Sequence, residues 1–238
     1  IQAATAATIG ISPDAIEPRG TITVTVGDLP DGTSFALGIR GEFTTTPGEA
    51  SAFTVRNLTL PFALNSGEMC AYTRGTSWSE LAANLPDGSS VILRKHADQN
   101  GEVRIVQSRN IGSGTLSLVT LRGEAAASSI TTDLTMLGTK QGPDSGMIPF
   151  AIEGIEQGVV TVTVYVDGRE ALSRVIPVGP SPTPTPTPTQ APPVSGAPAV
   201  VSNKNSIIRG NCFIVTVTGV AKKDYRLYVR EISGVALG

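Results

Sequence analysis

The chain has 238 residues, a formal net charge of −2, 40% hydrophobic residues and only 16% charged ones. A chain this long and this apolar can bury a core, which excludes wholesale disorder, and without a basic face it lacks the electrostatic footprint of a nucleic-acid binder. Its charge content falls below the roughly 25% usual for soluble domains, which leaves a surface of Thr, Ser, Gly and Ala suited to packing against copies of itself or to carrying sugars.

The sequence opens at Ile1 with no charged stretch leading into an apolar one. That is expected of a mature secreted chain after removal of a signal peptide, and equally of any chain cut at that point. No run of about 18 uninterrupted apolar residues occurs, so no membrane-spanning segment is expected.

From there the pattern is strands and turns. Thr21 to Val26 reads TITVTV, with the period-two alternation of a half-buried strand. Further β-rich runs follow at Phe35 to Ile39, Ser51 to Leu60, Val91 to Lys95, Glu102 to Gln107, Thr115 to Leu121, Thr131 to Leu137, Val159 to Val166 and Ala171 to Val178. One short helix is expected over Ser77 to Asn84, where Ser77 and Glu80 have capping-box spacing ahead of Leu81. Asp31-Gly32, Asp87-Gly88, Asn100-Gly101 and Asp167-Gly168 are dipeptides that tolerate the positive φ of tight hairpins. The expected class is therefore all-β: residues 1–179 form a β-sandwich, immunoglobulin-like, or a related β domain.

Pro180 to Pro198, PSPTPTPTPTQAPPVSGAP, holds eight of the 17 prolines. Alternating proline fixes φ and removes backbone donors, so neither helix nor sheet forms, and an extended polyproline II spacer is expected. At about 3.1 Å per residue it reaches roughly 60 Å. Thr183, Thr185, Thr187 and Thr189 are candidate O-glycan acceptors of the mucin-stalk type.

Residues 199–238 begin a second, partial immunoglobulin-like β module. RGNCFIVTVTGVAKKDYRLYVR from Arg209 echoes RGTITVTVGDLPDGTSFALGIR from Arg19, with Tyr225, Leu227, Val229 and Arg230 falling where Phe35, Leu37, Ile39 and Arg40 stand. Such a short stretch hardly closes a sandwich, and its edges need cover. Either more chain follows, or the module docks on the first domain or on a neighbouring subunit, as in strand donation.

The PTPTPTPTQAPP stalk followed by SIIRGNCFIVTVTGVAKKDYRLYV resembles the repeat-bearing S-layer-like surface proteins of methanogenic archaea, in which Ig-like units are strung on Thr-Pro linkers. The likeness is best over residues 198–232 and the linker and weaker over 15–42. It implies an envelope lattice or sheath component, commonly glycosylated, with no catalytic residues. The chain departs from that pattern in ending before a full second unit and in placing Cys212 in its strand.

Candidate chemistry is sparse. Cys70 and Cys212 admit one bridge, within or between chains, or two small buried hydrophobes; the extracellular cast of the rest favours the bridge. Asn57-Leu58-Thr59 is the one N-glycosylation sequon. His96, the single histidine, has no G-x-S-x-G elbow beside it and reads as a solvent-facing hairpin residue. Asp98 to Glu102 alternates oxygen ligands but lacks the remainder of a calcium loop, so it reads as a tight Asn-Gly turn. Glu153, Glu156 and Asp167 act as a glycosidase pair only if the fold happens to join them. Trp78 reads as a core plug. No catalytic residue, cofactor or metal is expected.

These features point to a structural component of an extracellular cell envelope, S-layer, sheath or surface filament, whose partners are copies of itself. The alternative is a cell-surface adhesin or carbohydrate-binding module on a stalk, against which the low aromatic content of 5% counts.

Overall fold

The structure is a computed structural model that describes residues 7–179, 199–202 and 215–218. The chain divides into two units, Ile1–Thr183 and Pro184–Gly238. In the first unit the strands in order are β1 (Thr8–Ser12), β2 (Thr21–Gly27), β3 (Ser34–Thr44), β4 (Ala50–Leu60), β5 (Ala63–Arg74), β6 (Thr76–Asn84), β7 (Ser90–His96), β8 (Glu102–Ser108), β9 (Gly114–Ala125), β10 (Ser129–Gln141), β11 (Gly146–Glu153), β12 (Gly158–Val166) and β13 (Arg169–Val178). There is no helix among the described residues, and hence none long and apolar enough to cross a membrane.

The pairing is nested. β6 pairs with β7, β5 with β8, β4 with β9, β3 with β10 and β2 with β11, all antiparallel. The chain thus forms one long two-stranded ribbon whose tip is the β6–β7 hairpin. Successive rungs of the ribbon fall alternately into a seven-stranded sheet, β1-β2-β11-β4-β9-β6-β7, and a six-stranded sheet, β13-β12-β3-β10-β5-β8. A ribbon rolled this way into two sheets is the plan of a jelly roll. Immunoglobulin domains hold seven to nine strands; the β-sandwich here is larger, with the β12–β13 hairpin extending one sheet and β1 the other.

The reason for the roll is the period of the side chains. In β2, Ile22, Val24 and Val26 are buried while threonines alternate with them; in β12, Val160, Val162 and Val164 do the same. Each such strand has one apolar face, and two sheets stacked face to face bury both sets. Phe35 and Phe62 meet edge-to-face at 5.1 Å and 80°, a favourable aromatic geometry. Gly41 of β3 sits opposite the Phe53 ring of β4: a Cβ there would lie 2.9 Å from Phe53 Cε2 and 3.1 Å from Ile155 Cδ1. The missing side chain at Gly41 is the space that Phe53 fills.

Every β-rich run read from residues 1–179 falls within a strand, and Gly32, Gly88, Gly101 and Gly168 all have positive φ. The helix expected over Ser77 to Asn84 does not form: those residues lie in β6, bonded to β9 on one side and β7 on the other. Two full ladders outweigh the local helix preference of Glu80-Leu81-Ala82-Ala83. Ser79, Leu81 and Ala83 face the core, and the inward hydroxyl of Ser79 is satisfied by Thr73 at 2.6 Å and Thr76 at 2.9 Å. Strands β1, β5 and β11 carry weak sequence signals. β5 is interrupted by Asn65-Ser66-Gly67, where Ser66 has φ 49°. β11 contains Pro149, tolerated because β11 pairs with β4 only over Ala151–Glu153.

In the second unit, β14 (Ala199–Ser202) and β15 (Val215–Thr218) form a two-stranded antiparallel ladder. Of the Thr-Pro stalk and its Thr183, Thr185, Thr187 and Thr189, of Cys212, and of the expected strand at Tyr225 to Arg230, all lie outside the described residues.

Two substitutions test the packing. Gly41→Ala forces Phe53 and Ile155 to shift and is expected to lower unfolding free energy by about 1–3 kcal/mol in urea titrations. Thr132, buried in β10, has a hydroxyl with no hydrogen-bond partner among the described residues. Thr132→Val removes that unpaired group while keeping the branched shape, and is expected to stabilise by roughly 1 kcal/mol; a loss in the same titration would show that the hydroxyl is satisfied.

Candidate binding face

The outward positions of the six-stranded sheet form a grid whose rows follow from register. One row runs Thr161 (β12), Arg40 (β3), Asp133 (β10), Tyr72 (β5) and Arg104 (β8). The next runs Ser173 (β13), Thr163, Gly38, Thr135, Cys70 and Val106. Beyond it lie Tyr165, Ala36, Leu137 and Glu68. Most of the middle row is small, and Arg40, Tyr72 and Arg104 on one side and Tyr165, Leu137 and Glu68 on the other stand taller, so it forms a trough across the strands.

Two adjoining depressions occupy this trough, of about 490 and 320 Å³, and both are lined by Arg40, Asp133 and Thr135. Arg40 grips Asp133 through two hydrogen bonds, Nε to Oδ1 at 2.7 Å and Nη2 to Oδ2 at 3.1 Å. The Asp133 carboxylate holds the Arg40 guanidinium above its ordinary pKa, against the opposing effect of partial burial. Thr163 and Ser173 share a hydroxyl hydrogen bond of 2.9 Å. The Tyr165 ring leans over the bare backbone of Gly38, its Cε2 4.0 Å from where a Cβ would stand. Tyr72 sits at the opposite wall; partial burial and a hydrogen bond to Glu102 raise its phenol above the ordinary value.

Cys70 lies in the floor, half-buried, with Sγ donating to Glu68 Oε1 at 2.9 Å. Burial, reinforced by the bond to Glu68, pushes its thiol up to about 12. At neutral pH it is a protonated thiol and a poor nucleophile. Its expected bridge to Cys212 involves a residue outside the described ones.

The other residues singled out by sequence are spread apart. Asn57 is exposed on β4 with φ 52°, so the sequon asparagine faces solvent. His96 ends β7 in an exposed position opposite Trp78. Asp98 is spent on its own turn, accepting from the Asn100 and Glu102 amides at 2.8 and 3.0 Å. Glu153 of the seven-stranded sheet is paired with Arg56, while Asp167 in the β12–β13 turn accepts from the Ser34 amide at 3.1 Å. Trp78 is not a core plug. It stands on the outer face of the seven-stranded sheet, because β6 is a strand and Trp78 shares the parity of Glu80, and the Arg94 guanidinium stacks 3.7 Å from its ring centroid. Among the described residues no three His, Cys, Asp or Glu side chains converge as a metal site would require.

A second polar cluster was not visible in the sequence. Lys140 ends the inward column of β10 with a side chain wholly buried, and its Nζ donates to Asp31 Oδ1 at 2.9 Å, Asp144 Oδ1 at 2.9 Å and the Gly142 carbonyl at 2.6 Å. Burial alone would lower this ammonium, but Asp144 and Asp31 outweigh it and hold it above the ordinary lysine value. Asp31 is held below its ordinary value, first by Lys140 and then by the Gly142 amide. Polar residues on strands look alike in sequence whichever way they face, so neither the outward Arg40–Asp133 pair nor the inward Lys140 cluster can be found without the register of β10.

No family profile, curated protein or solved structure matches this chain.

The sign of each pH effect follows from these shifts. The stabilisation that Asp31 contributes is present above its ordinary value of 3.8 and is lost as pH falls through the lower folded value. That of Lys140 is present below 10.5 and is lost as pH rises through its higher folded value. Thermal midpoints are expected to fall at both extremes, and Lys140→Met is expected to flatten both limbs while lowering the neutral plateau. Unchanged limbs in the variant would show that other groups govern them.

Proposed function

We propose that this chain is a structural component of an extracellular cell envelope, an S-layer, sheath or surface filament, and that it acts by associating with copies of itself. The observation that carries this reading is the two-stranded ladder of the second unit: among the described residues β14 and β15 each have a single neighbour, over four residue pairs. A two-stranded ladder by itself is marginal in water, and strand addition from another chain is a direct way to extend it. In the first unit β7 and β8 also end their sheets with one ladder neighbour each. The Thr-Pro stalk, the low charge and the likeness to archaeal surface proteins support an exterior location. The role is mechanical, with paired strands giving stiffness and the stalk setting spacing, and no catalytic step is assigned.

The test is assembly. Light scattering after size exclusion is expected to give concentration-dependent oligomers for the full chain, and a chain ending at residue 179 is expected to remain monomeric. A monodisperse full-length monomer whose residues 199–238 tumble independently by NMR would overturn the reading.

A further inference from the structure

The trough on the outer face of the six-stranded sheet is a built feature that the assembly reading leaves unused. It crosses the sheet from Ser173 to Val106, six strands at about 4.8 Å, hence roughly 24 Å. Its floor is narrow for a structural reason: Gly38, Thr135 and Cys70 occupy adjacent strands, between Arg40, Asp133 and Tyr72 on one side and Leu137 and Glu68 on the other.

The lining has a definite chemistry. Arg40 and Arg104 stand against Glu42, Glu68, Glu102 and Asp133. The balance is acidic, which disfavours a polyanion. The groups are also largely committed to one another: Arg40 to Asp133, Cys70 to Glu68, and Tyr72 to Glu102. A linear cation would therefore have to break existing pairs. What remains is a set of fixed carboxylate and hydroxyl oxygens, with guanidinium donors, along a shallow channel. Two tyrosines flank it on opposite sides: Tyr165 on β12, level with Ala36, and Tyr72 on β5, level with Arg40, three strand spacings across and four residues along, roughly 20 Å apart. Alternating donors and acceptors between two aromatic faces match a ligand with many hydroxyls and apolar C–H faces. The floor strands β3, β10 and β5 already have ladder neighbours on both sides, so an extended peptide cannot join the sheet there by strand addition.

We infer that this trough binds a neutral oligosaccharide laid across the strands, with Tyr72 and Tyr165 stacking on sugar rings and the Arg40–Asp133 pair and Thr135 hydrogen-bonding to its hydroxyls. The site is independent of strand exchange, so a chain that fails to oligomerise still tests it.

The experiment is affinity electrophoresis of the full chain in gels containing glucomannan, galactan, amylose or hydroxyethylcellulose, with heparin and polylysine as charged controls. Retardation by at least one neutral polymer is expected, followed by titration with its oligosaccharides. Tyr72→Ala and Tyr165→Ala are each expected to weaken binding about tenfold, Tyr165→Phe to retain it, and Thr135→Trp, which fills the floor, to abolish it. Urea midpoints of the variants identify any that fail to fold, and the remaining ones carry the result. Retardation by no neutral polymer, by heparin or polylysine alone, or to the same degree in every folded variant would overturn the inference.

Discussion

A strand with one apolar face has to be laid against another such face, and in this chain that constraint acts on a single folded ribbon. Because β2 to β6 pair in reverse order with β7 to β11, no rung of the ribbon can be moved without moving its neighbours. A one-residue slip in β10 would turn Ile130, Leu134 and Met136 to solvent and bring Asp133 and Thr135 inward. The buried core, the trough and the Lys140 cluster all depend on the same register.

The inward column of β10 shows how far that dependence extends. It carries Ile130, Thr132, Leu134 and Met136 and ends in Lys140, at the rim of the sandwich. An ammonium there would be costly if left alone. It is retained because the turns holding Asp31 and Gly142 to Asp144 close over it with three oxygen acceptors. The buried charge therefore ties together two connections far apart in sequence. Glu80 plays a comparable part on the opposite sheet, with Arg122 at 2.5 Å and Arg94 at 3.5 Å from its two oxygens.

Outside the core, the two sheets present different surfaces. The outer face of the seven-stranded sheet places Arg94 between Trp78 and Glu80. The six-stranded sheet instead dips where Gly38 meets Thr135, and the long residues stand back on either side. Polar residues on a strand exterior usually need no explanation. Here they converge because Ser173, Thr163, Gly38, Thr135 and Cys70, on five neighbouring strands, fall into one row, and a concave polar channel flanked by two tyrosines differs from a merely solvated face.

What the sequence determined by itself was local: the alternation of Thr with Val or Ile in β2 and β12, the glycine turns after Asp31, Asp87, Asn100 and Asp167, and hence an all-β first unit ahead of a proline-rich stretch. These features depend only on neighbours a few residues away. The tertiary structure decided the rest. Ser77 to Asn84 became a strand, and Trp78 went outward, because β9 and β7 supply backbone partners that lie far off in the chain. Arg40 came to face Asp133, and Lys140 to face Asp31, through pairings across 93 and 109 residues. Period two states which residues share a face of one strand; it carries no information on which strand lies beside it, and that choice was made by the requirement that both apolar faces be buried at once.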